Sequence, residues 1–163
     1  MFGYSMGTIS LIEVLKKITD SDGFAKPARV FLAAHEPSTK AELADYSSGE
    51  LDELVKERTI KFGAVPDSII GNKTFWRVYL PIYRADYSII GSYSFEELSL
   101  KTNIPATVFY SEKDTPRTGI DKWGKYFVGE CDYYEFEGNH FFYKEHYGDI
   151  AKIIKSKMLQ DVI

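Results

Sequence analysis

The chain has 163 residues, a net charge of -4, and a composition that is 44% hydrophobic and 27% charged. This length and composition predict a single folded domain over residues 1–163. The acidic balance argues against a nucleic-acid partner, which usually requires a basic face. No apolar run approaches the roughly 20 residues that span a bilayer and no signal peptide is recognisable, so no membrane partner is expected. Cys131 is the only cysteine, which rules out an internal disulfide and predicts a cytoplasmic location.

The first motif is Gly3-Tyr4-Ser5-Met6-Gly7, which matches the G-x-S-x-G pattern of a nucleophile elbow. Such an elbow is a sharp turn between a strand and a helix that lifts a serine hydroxyl above a sheet. Apolar residues at helical spacing predict the helix over residues 6–18. Only Met1 and Phe2 precede the motif, so the strand ahead of it is expected to be almost entirely absent.

The middle of the chain combines one predicted strand with a helical region. A short, continuous apolar run over residues 28–34 is typical of a buried parallel strand. Residues 36–94 then predict a helical insertion that lies over the sheet as a lid. Two helices are expected there, at 50–61 and 75–90, and Pro81 is expected to mark a kink or a helix start in the second.

The alternation of strands and helices returns in the last third of the chain. Strands are predicted at residues 106–110 and 131–136, and helices at 121–128 and 145–159. The last helix is expected to turn an apolar stripe inward, consisting of Ile150, Ile153, Ile154 and Met158. Three strands that alternate with helices indicate an α/β fold with a parallel sheet.

Asp114 and His140 each follow a predicted strand, and both are therefore expected at the carboxyl edge of the sheet, on the side of Ser5. A serine hydroxyl becomes a nucleophile when a base takes its proton, and the base needs a carboxylate to orient it. The chain order of serine, acid and histidine is that of α/β-hydrolases. We therefore predict a catalytic triad of Ser5, Asp114 and His140.

Three other residues compete for these roles. His35 also follows a strand, but it precedes the predicted acid and breaks the chain order. His146 opens an amphipathic helix, where a surface or capping role is expected. Asp86 lies in the helical insertion, where a salt bridge to Arg84 or another neighbour is expected. The histidines and the single cysteine show no zinc-binding spacing, and no cofactor is expected.

Four segments together resemble the type II (editing) thioesterases of nonribosomal peptide and polyketide synthesis, which belong to the α/β-hydrolase superfamily. These segments are GYSMG, PARVFLAAHEP, LPIYRADYSIIGSY and EGNHFF. The resemblance extends over essentially the whole chain, and LPIYRAD is typical of the lid in this family. The chain departs from the family pattern at Tyr4, where histidine is usual, and at Ala33-Ala34, where Ser-Gly is usual.

The resemblance implies hydrolysis of acyl thioesters carried on the phosphopantetheine arm of acyl or peptidyl carrier domains, without a metal or organic cofactor. Ser5 would be the nucleophile, His140 the general base and Asp114 its orienting acid, and the backbone N–H of Met6 would be one oxyanion donor. The resemblance also implies an N-terminally truncated fold. About 70 residues would be missing, among them a loop that donates the second oxyanion hydrogen bond.

Two other functions stay open at this point. In the first, the chain is a catalytically impaired fragment that binds a carrier domain. In the second, it is a serine esterase or acyl-CoA hydrolase of the same fold.

Overall fold

The computed structural model describes residues 1–38 and 51–161. A parallel sheet of four strands, in the order β1-β2-β3-β4, forms its centre and confirms the predicted α/β class. The strands are β1 (Phe2–Tyr4), β2 (Val30–Ala33), β3 (Ala106–Tyr110) and β4 (Cys131–Glu135). Every residue of β2 and β3 is buried, as expected for central strands of a parallel sheet that is covered on both faces.

The sheet has one strand more than the sequence predicted. β1 has three residues and pairs in parallel with β2, so that Phe2 lies opposite Phe31 and Tyr4 opposite Ala33. The prediction of three strands was wrong because the glycine and tyrosine of the pentapeptide themselves belong to the strand. Backbone pairing along an existing neighbour needs no apolar run of its own.

Five helices accompany the strands in the described part of the chain. They are α1 (Met6–Thr19), α2 (Leu51–Lys61), α3 (Lys73–Ser92), α4 (Arg117–Ile120) and α5 (Tyr143–Gln160). α1 and α4 contribute Leu15 and Ile120 to one hydrophobic cluster, whereas α5 contributes Ile150 to another cluster with Phe31. The central strands supply residues to both clusters, which shows that helices cover the two faces of the sheet.

Two helix predictions need correction. The helix expected at 121–128 is instead the single turn of α4 followed by a 3₁₀ turn over Asp121–Lys125. This helix begins earlier because Pro116 provides a starting residue. In α5, Ile150 is buried and Ile153 and Ile154 are partly buried, but Met158 is 40% exposed and does not face the core.

The segment between β2 and β3 contains α2 and α3, which share a hydrophobic cluster of their own. Its buried members are Val55, Val65, Trp76, Leu80 and Tyr87. Pro81 lies inside α3, eight residues after its first residue Lys73, so of its two expected roles the helix start was wrong and the kink stays a prediction. Residues 39–50, which include the predicted first residue of α2, lie outside the described residues. The lid assignment for 36–94 stays a prediction.

Gly3 permits the close approach of β1 and α1. A Cβ atom at Gly3 would lie 2.9 Å from both the backbone oxygen of Gly7 and the Cα of Thr8. Both contacts are to backbone atoms of the first turn of α1, which cannot move without displacing the helix. By contrast, a Cβ at Gly7 would meet no atom within 4 Å. Of the two glycines in the motif, only the first is therefore required by packing.

The amino edge of the sheet is held by a buried arginine. The Arg29 side chain is 0% exposed and pairs with Asp161 at 2.8 Å, Glu130 at 3.1 Å and Asp132 at 3.2 Å. Its Nη1 also donates to Thr107 Oγ1 at 3.1 Å. Since Asp161 follows α5 and the other partners lie in or next to β3 and β4, one guanidinium joins the end of the chain to the sheet.

We predict that Arg29→Ala lowers the free energy of unfolding by about 2–4 kcal/mol, because it removes a fully buried guanidinium and takes from Asp161, whose side chain is only 12% exposed, its cationic partner. Urea denaturation followed by circular dichroism measures the change. Lys152→Ala is the control, since it removes an ion pair whose lysine side chain is 80% exposed. Equal urea midpoints for the two variants would contradict a structural role for Arg29.

We also predict that Gly3→Ala destabilises the fold by about 1–3 kcal/mol or more, because the added methyl group overlaps the backbone of α1. Gly7→Ala, in the same pentapeptide, is expected to raise stability by about 0.5–1 kcal/mol, because alanine loses less backbone entropy in a helix. Thermal melts of the two variants provide the comparison. A Gly3→Ala chain as stable as Gly7→Ala would disprove the packing argument.

Candidate active site

The turn between β1 and α1 places Ser5 in a backbone conformation that residues other than glycine rarely adopt. Its φ is 52° and its ψ is -125°, and it directly precedes the first residue of α1. The backbone N–H of Ser5 donates to Ala33 O at 2.8 Å, which fixes the turn to the end of β2. Such strain persists where the surroundings determine the conformation, and it is concentrated at functional sites.

The structure brings Ser5, His140 and Asp114 together. His140 Nε2 lies 2.9 Å from Ser5 Oγ, and His140 Nδ1 lies 2.9 Å and 3.0 Å from the two Asp114 carboxylate oxygens. The Asp114 side chain is 3% exposed and that of His140 is 12% exposed. An imidazole between a hydroxyl and a buried carboxylate has the geometry in which one nitrogen takes the serine proton and the other keeps its own.

The loop that carries His140 is held on both sides of the histidine. Gly138 has a φ of +121°, and its carbonyl accepts a 2.6 Å hydrogen bond from Ser111 Oγ at the end of β3. Asn139 Oδ1 accepts from the backbone N–H of Phe141 at 2.9 Å. These bonds fix the histidine loop to the carboxyl edge of the sheet, next to the loop of Asp114.

Tyr4 is a site residue that the sequence interpretation treated only as a variation. Its hydroxyl donates to the backbone carbonyl of His140. Burial, and then the charge of Asp114, raise the pKa of Tyr4 above its usual range, which keeps the hydroxyl protonated as a donor. The position of Tyr4 inside the motif, one residue before Ser5, was the only signal that could have identified it.

The two rival histidines form no hydrogen bond with Ser5 or Asp114, although His35 lines a cavity of about 140 Å³ together with Ser5, Asp114 and His140. Nε2 of His35 is buried and has no hydrogen-bond partner among the described residues, and burial, followed by the charge of His140, lowers the pKa of His35 to about 4. His35 is therefore neutral at neutral pH. His146 contacts the backbone carbonyl of Glu137 through Nε2 at 3.0 Å, in line with the expected surface or capping role.

The salt bridge expected for Asp86 and Arg84 is wrong. Arg84 pairs with Asp52 of α2 at 3.2 Å instead, because the side chains of α3 that face α2 reach across to it. Asp86 lies in the lining of a cavity beside Ser5, and no ion pair of Asp86 occurs among the described residues.

Three cavities meet at His140, and the smallest of them, of about 140 Å³, also contains Ser5, His35 and Asp114. An apolar cavity of about 250 Å³ contains Ser5 and Met6 and is also lined by residues of the segment between β2 and β3, among them Phe62, Tyr87 and Ile90. A polar cleft of about 450 Å³ also reaches the imidazole, and its charged lining consists of Arg58, Lys61 and Lys113 together with Glu57 and Asp114. The site therefore offers an apolar space beside the serine and a polar space beside the histidine, lined by three cationic and two acidic side chains.

Met6 is the first residue of α1, and its backbone N–H is one of those that an α-helix leaves without an intrahelical partner. The partial positive charge at a helix N-terminus favours negative charge nearby. Met6 also lines the apolar cavity next to Ser5.

Among residues 1–38 and 51–161, no helix combines the length and the apolar character that a bilayer crossing requires. Within the same ranges, no three His, Cys, Asp or Glu side chains are grouped so as to hold a metal ion.

Comparison with known proteins identifies relatives over most of the chain. This chain is 24% identical over 146 residues to the gramicidin S biosynthesis protein GrsT of Aneurinibacillus migulanus, and the match covers 88% of this chain and 56% of GrsT. It is 25% identical over 147 residues to the medium-chain S-acyl fatty acid synthase thioesterase of Rattus norvegicus, covering 86% of this chain and 54% of that protein.

Solved structures agree with this grouping. The crystal structure of ClbQ from the colibactin NRPS/PKS pathway matches with a TM-score of 0.76 and 21% identity, over 98% of this chain and 68% of ClbQ. The chain thus spans about half the length of the two relatives above and about two thirds of ClbQ. Likeness at this identity shows the fold alone, a parallel sheet flanked by helices. Because the family model of the Thioesterase domain also matches residues 1–158, the chain belongs to the Thioesterase domain family.

Proposed function

We propose that this chain is the catalytic part of a type II thioesterase that hydrolyses acyl thioesters from the phosphopantetheine arm of carrier domains in nonribosomal peptide or polyketide synthesis. The observation that carries the proposal is the hydrogen-bonded series Asp114–His140–Ser5 beside an apolar cavity. Membership of the Thioesterase domain family indicates which bond is cleaved, namely a thioester.

In the first half of the reaction, Ser5 Oγ attacks the thioester carbonyl carbon while His140 Nε2 takes the hydroxyl proton. Negative charge develops on the carbonyl oxygen, where the N–H of Met6 donates to it. The tetrahedral intermediate then collapses, the carbon–sulfur bond breaks, and His140 returns the proton to the departing thiolate. The products are a free phosphopantetheine thiol and an ester between the acyl group and Ser5.

In the second half, His140 Nε2 takes a proton from water, and the resulting hydroxide attacks the acyl ester of Ser5. Collapse of this intermediate breaks the ester bond, and the proton returns to Ser5 Oγ as the carboxylic acid leaves. Asp114 accepts from Nδ1–H throughout, which keeps the tautomer that leaves Nε2 free to act as a base and stabilises the imidazolium. No step requires a metal or an organic cofactor.

The polar cleft supports a substrate that carries phosphate. Lys61 and Lys113 are exposed and form no ion pair within the described residues, and with Arg58 they outnumber the two carboxylates of the cleft, Glu57 and Asp114. A leaving thiolate must lie next to His140, so the arm that carries it would extend into this cleft while the acyl group occupies the apolar cavity. The names of GrsT and ClbQ connect those proteins with peptide and polyketide pathways, which favours a carrier domain as the partner.

An acyl-CoA hydrolase is the second candidate, because coenzyme A has the same thiol arm and also carries phosphate. A carrier-binding fragment without activity is the third, and it would bind a carrier domain without deacylating it. The cytoplasmic location expected from the single cysteine stays a prediction.

We predict that a fluorophosphonate probe labels Ser5, because the probe reacts with a serine whose proton is taken by a nearby base. Ser5→Ala should abolish labelling, and His140→Gln should slow it by about 10²–10⁴-fold, the usual contribution of general base catalysis. Intact-protein mass spectrometry followed by peptide mapping measures the adduct. A folded chain without any adduct on Ser5 would leave the carrier-binding fragment as the function.

We also predict that Lys61→Glu/Lys113→Glu raises KM for an acetyl-carrier protein by on the order of tenfold, through loss of two favourable charges and gain of two repulsive ones. KM for acetyl-pantetheine, which lacks the phosphate, should stay unchanged.

Lys17→Glu/Lys26→Glu is the matched control, because it changes the net charge equally at the other edge of the sheet. Parallel kinetics with acetyl-CoA and a p-nitrophenyl ester distinguish the candidates. Higher kcat/KM for acetyl-CoA than for the acetyl-carrier protein would favour the acyl-CoA hydrolase.

A further inference from the structure

Phe62 is the only described residue of the lid segment whose ring stacks on His140. The two ring centroids are 4.7 Å apart and the ring planes differ by 22°. Tyr4 and Phe141 also contact the imidazole, but they meet it edge-on, at interplanar angles of 67° and 87°. Phe62 thus covers one face of the imidazole.

A second contact joins residues 62–63, which follow α2, to the loop that carries His140. Gly63 follows Phe62 with a φ of +76°, and a Cβ atom at Gly63 would lie 2.6 Å from Asn139 Nδ2. The end of α2 therefore lies directly against both Asn139 and His140. This contact is long-range in sequence and comes from outside the sheet that carries Ser5 and Asp114.

The hydrogen bonds of His140 restrain one motion only weakly. Nε2 and Nδ1 are bonded to Ser5 and Asp114, and hydrogen bonds at imidazole nitrogens are strongest when they lie close to the plane of the ring. Tilting the imidazole about the line through its two nitrogens changes both bond lengths little but turns their directions away from the ring plane. A ring stacked on the face of the imidazole opposes that tilt. Tilting would push one edge of the imidazole into the stacked ring and move the other edge away from it.

We propose that Phe62 is a positioning residue that holds the plane of the His140 imidazole, so that Nε2 stays directed at Ser5 Oγ. The proposal rests on the function proposed above, in which His140 is the base. Under this proposal, catalysis depends on how closely residues 62–63 pack against the loop that carries His140. Phe62 also lines both the apolar cavity and the polar cleft, which puts it at the junction of the two.

Phe62 has a second set of neighbours that a test must separate from this role. It packs against the α2–α3 cluster and lies 6.4 Å from the Tyr87 ring. Phe75 belongs to the same cluster, is also partly buried, and stacks on Tyr79 with centroids 4.8 Å apart. Phe75 lines neither cavity, so Phe75→Leu removes a ring from the same cluster without touching His140.

The test compares Phe62→Leu, Phe62→Tyr and Phe75→Leu in the full chain with p-nitrophenyl acetate as substrate. We expect Phe62→Leu to lower kcat about tenfold and to leave KM within about twofold, because the misplaced base affects the chemical step more than binding. Phe62→Tyr keeps the ring and should stay within about threefold of the wild type, and Phe75→Leu should match the wild type.

Proton NMR gives a readout that does not depend on turnover. The Nδ1–H of His140 bonded to Asp114 should give a far-downfield resonance in the wild type and in Phe75→Leu. This resonance should broaden by exchange with water in Phe62→Leu, and His140→Gln assigns it. If the wild type neither turns over nor labels, the proposed function fails, and the NMR comparison still decides the role of Phe62.

Three results would overturn the proposal. The first is an unchanged kcat and resonance in Phe62→Leu. The second is an equal loss in Phe75→Leu, which would make the effect one of lid packing. The third is a Phe62→Leu chain that unfolds while Phe75→Leu stays folded, which would make Phe62 a core residue.

Discussion

The candidate site depends on the contact between Gly3 and the first turn of α1. The missing side chain lets the helix start within 3 Å of where a Cβ would lie, and the chain must turn sharply at Ser5 to make this approach. The turn costs backbone strain, since Ser5 has a φ of 52°, and the bond from its N–H to Ala33 O helps to hold it. The turn is determined by backbone contacts, so the position of the Ser5 hydroxyl does not depend on the side chains that bond to it.

His140 is placed by contacts from several distant segments. Asp114, from the loop after β3, bonds to one ring nitrogen, while Tyr4, from β1, bonds to the backbone carbonyl. Phe62, from the end of α2, covers one face of the ring. The first two contacts come from the sheet edge, which packing makes rigid, whereas the third comes from a segment with a separate hydrophobic cluster. The orientation of the His140 imidazole is therefore connected to both parts of the structure.

The sequence predicted the features that local pattern and chain order determine. The buried runs of β2 and β3, the helical spacing of α1 and the order of Ser5, Asp114 and His140 are all of this kind. It failed for β1, because a three-residue strand has no periodicity and exists only through its partner. It also failed for Phe62, Tyr4 and the Asp52–Arg84 pair, because these contacts depend on how distant segments meet. The long separation from Arg29 to Asp161 concealed the buried ion network in the same way.

The net charge of the chain is a poor guide to its substrate, because the charges are divided between the two edges of the sheet. At the amino edge, Arg29 is surrounded by the carboxylates of Glu130, Asp132 and Asp161. At the carboxyl edge, Lys61 and Lys113 line the polar cleft beside His140. Salt screens exposed charges beyond about 8–10 Å at physiological ionic strength, so an anion in the cleft responds mainly to the charges that line it, which are Arg58, Lys61 and Lys113 against Glu57 and Asp114. The total of -4 argues against a long polyanion, yet it is compatible with a single phosphate held in the cleft.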